Sequence, residues 1–178
     1  MTIDTILRSI VTVRASIPDD AFTANALGTS REGSGVVIRD NGLVLTIGYL
    51  ITEAEEVWLT DHSGRVIPAH ALAYDQLSLP AVAFGDVARA MAGDPVVLAD
   101  GIGQAVSAYI VTKQEFAGYW EYLLDEAIFT APAHPSWGGA ALIGQDGRLL
   151  GIGSLRLQMS RAGEIADINM VVPIDLLP

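Results

Sequence analysis

The side chains able to make or break a covalent bond are few in this chain. It has no cysteine, one lysine (Lys113) and three histidines, His62, His70 and His134. Thiol chemistry is excluded, so acyl transfer would start from a hydroxyl with a base within hydrogen-bond reach. Ser136 and His134 stand two residues apart and offer one such pairing. An imidazole base also needs an acid that fixes its tautomer, and none is evident beside His134. On the sequence alone His134 reads as a surface side chain and Ser136 as a turn residue. A Ser–Lys dyad would require Lys113, which falls at a strand end with no motif relation to Ser136. Asp61 and His62 could begin a metal site, but no second histidine falls at ligand spacing, so no metal or other cofactor is expected. Asp19 and Asp20, Glu53, Glu55 and Glu56, and Asp125 and Glu126 read as solvated turns or hairpin entries.

These residues must be carried by a framework that the composition describes. Of the 178 residues 51% are hydrophobic and only 17% charged, with 18 glycines, which suits a well-buried, turn-rich β protein. The length fits one domain, or a pair of small barrels sharing an interface. Net charge is −11 with ten Lys and Arg in all, which disfavours nucleic acid as a partner and favours basic ones. No apolar run approaches the length of about 18 residues that a membrane helix needs. The N-terminus lacks the basic start and apolar centre of a secretory signal. The expected location is cytoplasmic, or periplasmic if a leader has been removed.

Strand-like runs separated by turn signals dominate. Residues 6–17 carry β-branched side chains up to Pro18, and residues 21–32, small and polar, read as a loop. Residues 35–39 and 43–47 form a hairpin around Asp40-Asn41-Gly42, whose Asn-Gly pair accepts positive φ. Residues 56–60 and 65–73 form another around Asp61-His62-Ser63-Gly64, and residues 79–84 are a further apolar run. After a linker at 85–94 come runs at 95–99, 104–112, 126–131, 140–143, 148–157 and 167–172. That makes roughly six short strands in each half, the pattern of two antiparallel barrels. Residues 119–124, with Trp120 and Leu124 one turn apart, suit a short helix or a strand.

Gly33-Ser34-Gly35-Val36-Val37-Ile38 and the strand that ends Thr46-Ile47-Gly48-Tyr49-Leu50-Ile51 resemble the opening of the HtrA/Deg-type trypsin-like serine proteases, where a GSG-led strand precedes TxAHVV. Glu56-Val57-Trp58-Leu59-Thr60-Asp61 through Ala69 is similar to the family's VTLSDGREFPAKVV hairpin. Tyr74-Asp75-Gln76-Leu77-Ser78-Leu79 resembles DPRTDLAVL, and Gly93-Asp94-Pro95-Val96-Val97-Leu98 resembles GDxVLAIG. Residues 135–142 resemble PGNSGGPL, Asp146 to Ile152 resemble xGEVIGI, and Asn169 to Ile174 resemble GFAIPI. Their order and spacing carry the resemblance along the whole chain.

The resemblance implies an all-β, trypsin-like double six-stranded barrel, with residues 1–90 forming one barrel and 91–178 the other. It places Tyr49 at the base position, Leu79 at the acid position and Gly138 at the nucleophile position. A phenol with a pKa of about 10 is a poor proton acceptor at neutral pH. Ser136 and Trp137 replace the Gly and Asn before the nucleophile. The expectation is a protein that is not an enzyme, a pseudoprotease that binds a protein or peptide through Ser136, Trp137 and Gly138. Trp120 and Tyr122 would join them from an aromatic, acidic segment that also holds Phe116, Tyr119 and Phe129. The alternative is an active hydrolase with a relocated nucleophile, Ser136 acting with His134. The family further implies homo-oligomerisation and a C-terminal PDZ domain in the full-length protein.

Overall fold

β1 (Ile10–Ser16) is buried from Ile10 to Val13 and then alternates, as a strand covered by neighbours on both edges must. Its partners are β2 (Ser30–Val37) and β4 (Glu56–Thr60), both antiparallel. β3 (Val44–Thr46) flanks β2 and β5 (Val66–Ala69) flanks β4, giving the order β3-β2-β1-β4-β5. The computed structural model describes residues 3–71, 80–118, 123–161 and 164–176.

The second half forms a closed antiparallel barrel from β6 (Pro95–Ala99), β7 (Ala105–Ala117), β8 (Leu123–Ala131), β9 (Ala141–Ile143), β10 (Leu149–Arg161) and β11 (Glu164–Pro173). It closes through β9, which pairs with both β6 and β10. The all-β, trypsin-like architecture expected from the motifs is the one present. Among the described residues the first half contributes five strands to the barrel's six. The run at 79–84 begins outside the described residues, and its Phe84 makes a single parallel bridge to Leu149.

Local expectations differ in three places, each for a tertiary reason. The strand expected at 6–17 starts only at Ile10, because a helical turn, α1 (Ile3–Leu7), precedes it. That turn places Ile6, 1% exposed, in the core between the two halves. The loop expected at 21–32 contains the helical turn α2 (Ala24–Leu27) and the start of β2. Leu123 and Leu124 lie in β8 rather than a helix, with Leu124 buried; residues 119–122 lie outside the described residues.

One cluster joins the halves: Ile6, Ile10, Val36 and Leu50 pack with Leu98, Ile110, Ile128, Leu142 and Leu149. Each such side chain contributes about 1.5–3 kcal/mol by leaving water, so neither half keeps its share of that burial alone. Phe116 and Phe129, expected in the aromatic segment, meet edge to face at 6.2 Å against a separate cluster.

Glu53 does not behave as a solvated turn residue. It is the non-glycine residue at positive φ (61°) among those described. Its carboxylate accepts from Thr23 Oγ1 (2.6 Å), Thr23 N (2.7 Å) and Phe22 N (3.0 Å). These N–H groups lie just before α2, so the segment entering that turn is held from thirty residues further along the chain. The Thr23 hydroxyl bond first, then the two backbone bonds and the charge of Arg31, hold this carboxyl below its ordinary value against a small opposing effect of burial. A lowered native pKa means stability that is present above the unfolded value, about 4.3, and lost as pH falls through the native one. Urea denaturation at pH 7 and pH 3 should therefore show a smaller acid-induced loss in Glu53→Gln than in the wild type. Equal losses in the two proteins would remove Glu53 from the acid response.

Candidate functional site

The GSG motif has a packing explanation. A Cβ on Gly33 would lie 2.6 Å from the Gly138 carbonyl, and one on Gly35 would lie 2.6 Å from Val44 Cγ1. Gly33 lets β2 approach the second half, and Gly35 makes room for Val13 and Val44 within its own sheet. Between them Ser34, 3% exposed, bonds in three directions. Its N–H donates to Gly138 O (2.7 Å), its Oγ accepts from Gly101 N (2.9 Å) and its carbonyl accepts from Thr46 Oγ1 (2.6 Å). Gly139, at φ +77°, presses against the Ser34 carbonyl so closely that a Cβ there would run into it.

Tyr49 lies on the helical turn α3 (Gly48–Ile51), which follows β3 directly. Buried Leu50 anchors this turn, and Thr52 N and Oγ1 both donate to Gly48 O. Arg31, 5% exposed, satisfies the far end of the turn by donating through Nη1 to Tyr49 O (2.7 Å) and Thr52 O (3.0 Å). Its other nitrogens reach Gly28 O and Thr23 Oγ1. A buried guanidinium is tolerated here because carbonyls at a helix C-terminus accept its protons. Sequence reading missed Arg31, whose neighbours in the chain give no sign of burial.

Thus held, the Tyr49 hydroxyl donates to Ser154 O (3.2 Å). It also stands 2.8 Å from where a Cβ on Gly138 would be. The structure therefore brings together Tyr49 and Gly138 from opposite halves of the chain. Leu79, the third of these positions, lies outside the described residues, as do Trp120 and Tyr122. Ser136 is exposed and Trp137 half-buried on the loop between β8 and β9. That loop donates Gly139 N to Gly153 O on β10 and Ala140 N to its own Trp137 O.

His134 departs most from its sequence reading. It is 0% exposed instead of a surface side chain, and an acid does lie near it. Asp100 Oδ2 is 4.0 Å from His134 Nε2, and His134 Nδ1 accepts the Ser136 N–H (3.0 Å). Asp100 was missed because it comes from the turn after β6, far from His134 in sequence; only an aspartate in an otherwise apolar stretch marked it. The other candidates are engaged elsewhere. Lys113 donates to Val87 O and pairs with Glu126. Asp61 is no metal ligand in waiting, since Ser63 N, Ser63 Oγ, Arg65 N and Arg65 Nε occupy it in its own turn. His62 and His70 are exposed. Among the described residues no group of acidic and histidine side chains is arranged to hold a metal.

A groove of about 350 Å³ runs over this junction. Gly33, Tyr49, Ile102, Trp137 and Gly138 line it, with Glu32, which is paired to Arg14, and the buried Asp100 at its polar side. A second cavity, inside the first sheet, is enclosed mainly by Val13, Val44, Val57 and Leu59 and offers little for chemistry.

The family model for the trypsin-like peptidase domain matches residues 33–152. Serine endoprotease DegS of Haemophilus influenzae is 29% identical over 180 aligned residues, covering 91% of this chain and 51% of that protein. The chain thus spans about half the length of this curated relative. Among solved structures, the HtrA-type protease AlgW with tripeptide superposes with a TM-score of 0.76 at 19% identity, covering 98% of this chain and 59% of that one. AlgW with decapeptide gives 0.72 at 18% identity, covering 98% and 63%. At these identities the superpositions speak for the fold. The expectation that the chain is not an enzyme is corrected by these similarities: the matching family is one of peptidases, and the similar curated protein is an endoprotease. No helix among the described residues is long and apolar enough to cross a membrane.

Two substitutions test the junction. Ser34→Ala removes one hydrogen bond and should cost about 0.5–1.5 kcal/mol. Gly139→Ala adds backbone strain to a collision and should cost more, at least about 1–3 kcal/mol. Urea denaturation ranks them, and a neutral Gly139→Ala would disprove the close approach.

Proposed function

Because the chain belongs to the trypsin-like peptidase domain family, we propose that this HtrA-type protease domain engages an extended peptide in the groove between its halves. The observation that carries the reading is the meeting of Tyr49 and Gly138 beneath that groove. A residue without a side chain lies under the Tyr49 hydroxyl and leaves backbone and ring surface as the floor. Apolar walls with a few fixed polar groups suit a peptide, which brings its own backbone donors and acceptors and one side chain at a time to fill a pocket. Ile102, 63% exposed, and half-buried Trp137 supply the apolar surface, and aromatic side chains commonly anchor such contacts. The similar AlgW structures carry a tripeptide and a decapeptide in their own right, which supports a peptide as the ligand class here. The net charge of −11 favours a peptide that is basic rather than acidic.

A second reading follows from the family's chemistry: the domain cleaves the peptide it holds. Ser136 is the exposed hydroxyl on the loop that crosses the groove. His134 already accepts the Ser136 backbone N–H with Nδ1 and turns Nε2 toward Asp100. It is thus committed to the backbone of that residue, and a reaction at the hydroxyl would need another base.

Binding is measured by fluorescence anisotropy with a labelled library of basic and acidic decapeptides. Basic members should bind, Trp137→Ala should weaken them at least about tenfold, and Val66→Ala, on the exposed edge strand, should leave them unchanged. Equal binding by all three proteins would place the peptide elsewhere. Cleavage is measured with the same peptides and a serine-directed phosphonate. Ser136 as nucleophile predicts one label per chain that is lost in Ser136→Ala, and turnover that persists in that variant would assign the reaction to a different group.

A further inference from the structure

Full burial of His134 has a specific use. Its backbone N–H donates to Asn169 Oδ1 (2.6 Å) on β11, which fixes the residue at the end of the barrel. Its ring then closes back on the chain, with Nδ1 accepting the N–H of Ser136, two residues on, at 3.0 Å. This is the bond that an Asn or Asp side chain makes in an Asx turn, made by an imidazole instead. A nitrogen that accepts carries no proton, so the ring proton belongs on Nε2. Nε2 faces acceptors only: Gln104 O at 3.4 Å and Asp100 Oδ2 at 4.0 Å. Asp100, 2% exposed, is itself held, because its Oδ1 accepts from Ile102 N (3.1 Å) and Gln104 N (2.8 Å). Its Oδ2 has no hydrogen-bond partner among the described residues, which leaves it turned to the imidazole.

We propose that His134, oriented by the Gln104 carbonyl and the Asp100 carboxylate, is the positioning residue of the groove. As a neutral imidazole protonated on Nε2, it closes the turn that presents Ser136, Trp137 and Gly138. The proposal rests on the groove being the peptide site. It makes the loop's shape depend on protonation: a proton on Nδ1 would face the Ser136 N–H, donor against donor, and the turn would open. Asp100 is the charged group facing the ring. Glu32 lies across the groove, and on the far side of Pro135 Arg156 and Asp167 neutralise each other in an ion pair. Acid should therefore release the loop and, with it, the peptide.

The experiment uses the full chain, labelled with ¹⁵N. Long-range ¹H–¹⁵N correlation at pH 7.5 reports the tautomer of His134, and hydrogen exchange reports the Ser136 amide. The expected results are an Nε2–H ring and a Ser136 amide protected about tenfold more than in His134→Ala. Protection should fall as pH is lowered, because a proton added at Nδ1 removes the acceptor of the Ser136 N–H. His134→Asn supplies the decisive comparison, since its Oδ1 accepts the same bond and does not titrate. It should keep the protection and lose the pH dependence, for the amide and for peptide binding alike. An Nδ1–H ring in the wild type overturns the proposal without any variant, and so does the same pH dependence, after correction for intrinsic exchange, in wild type and His134→Asn. If the amide behaves as expected while no peptide binds at any pH, the turn chemistry stands and the peptide reading fails.

Discussion

Ser34 is the constraint on which the rest of the site depends. Its three polar groups reach the loop before β9, the turn after β6 and the end of β3, and each bond is made in a space emptied by glycine on either side. A larger residue at 33 or 139 would force apart the backbones that these bonds hold. The halves meet through this polar knot and through the apolar cluster beneath it, and the two are complementary. Apolar burial supplies most of the free energy but has little direction, whereas the hydrogen bonds of Ser34 fix the register in which the halves face one another.

Around that knot, charge is used for placement, buried at Arg31 and Asp100 and exposed at Glu53. Arg31 ties α3 to the segment around α2 through four acceptors, and Glu53 closes the same region by accepting from Thr23 and Phe22. Asp100 organises the turn after β6 with two backbone bonds, and His134 passes that order to the loop at 136. None of these groups is left in apolar surroundings without a counterpart close by, which is what makes their burial tolerable. The arrangement delivers Tyr49 and Gly138 to one point from residues far apart in the chain.

That point gives the site its character. The chain belongs to a peptidase family, and its groove lies at the junction of the five-stranded sheet and the closed barrel. What stands there in this chain is a phenol hydroxyl over a glycine, with a tryptophan and a serine beside them on the loop. The chemistry available is that of backbone groups, ring faces and one exposed hydroxyl, shaped by an imidazole that the backbone has already claimed.

Much of this was legible without coordinates. Alternation and turn chemistry marked β4 from Glu56 to Thr60, β6 from Pro95 to Ala99 and the hairpin turns, because short-range burial patterns and turn glycines are local properties. The ordered motifs, beginning with Gly33-Ser34-Gly35, identified the all-β, trypsin-like fold and singled out Tyr49 and Gly138, though among the described residues the first half is a five-stranded sheet where a six-stranded barrel was expected. What the sequence could not decide was which polar residues would be buried or claimed by a distant partner. His134 reads as a surface side chain beside Pro135 and Ser136, Glu53 as a solvated turn, and Arg31 and Asp100 as unremarkable charges. Each owes its role to a partner distant in the chain: Asn169 and Asp100 for His134, Thr23 for Glu53, Tyr49 for Arg31. Strand position along the chain follows from hydrophobic periodicity, which a chain carries in its own spacing. The burial of a charge depends on an acceptor or donor arriving from elsewhere, and only the folded chain brings it there.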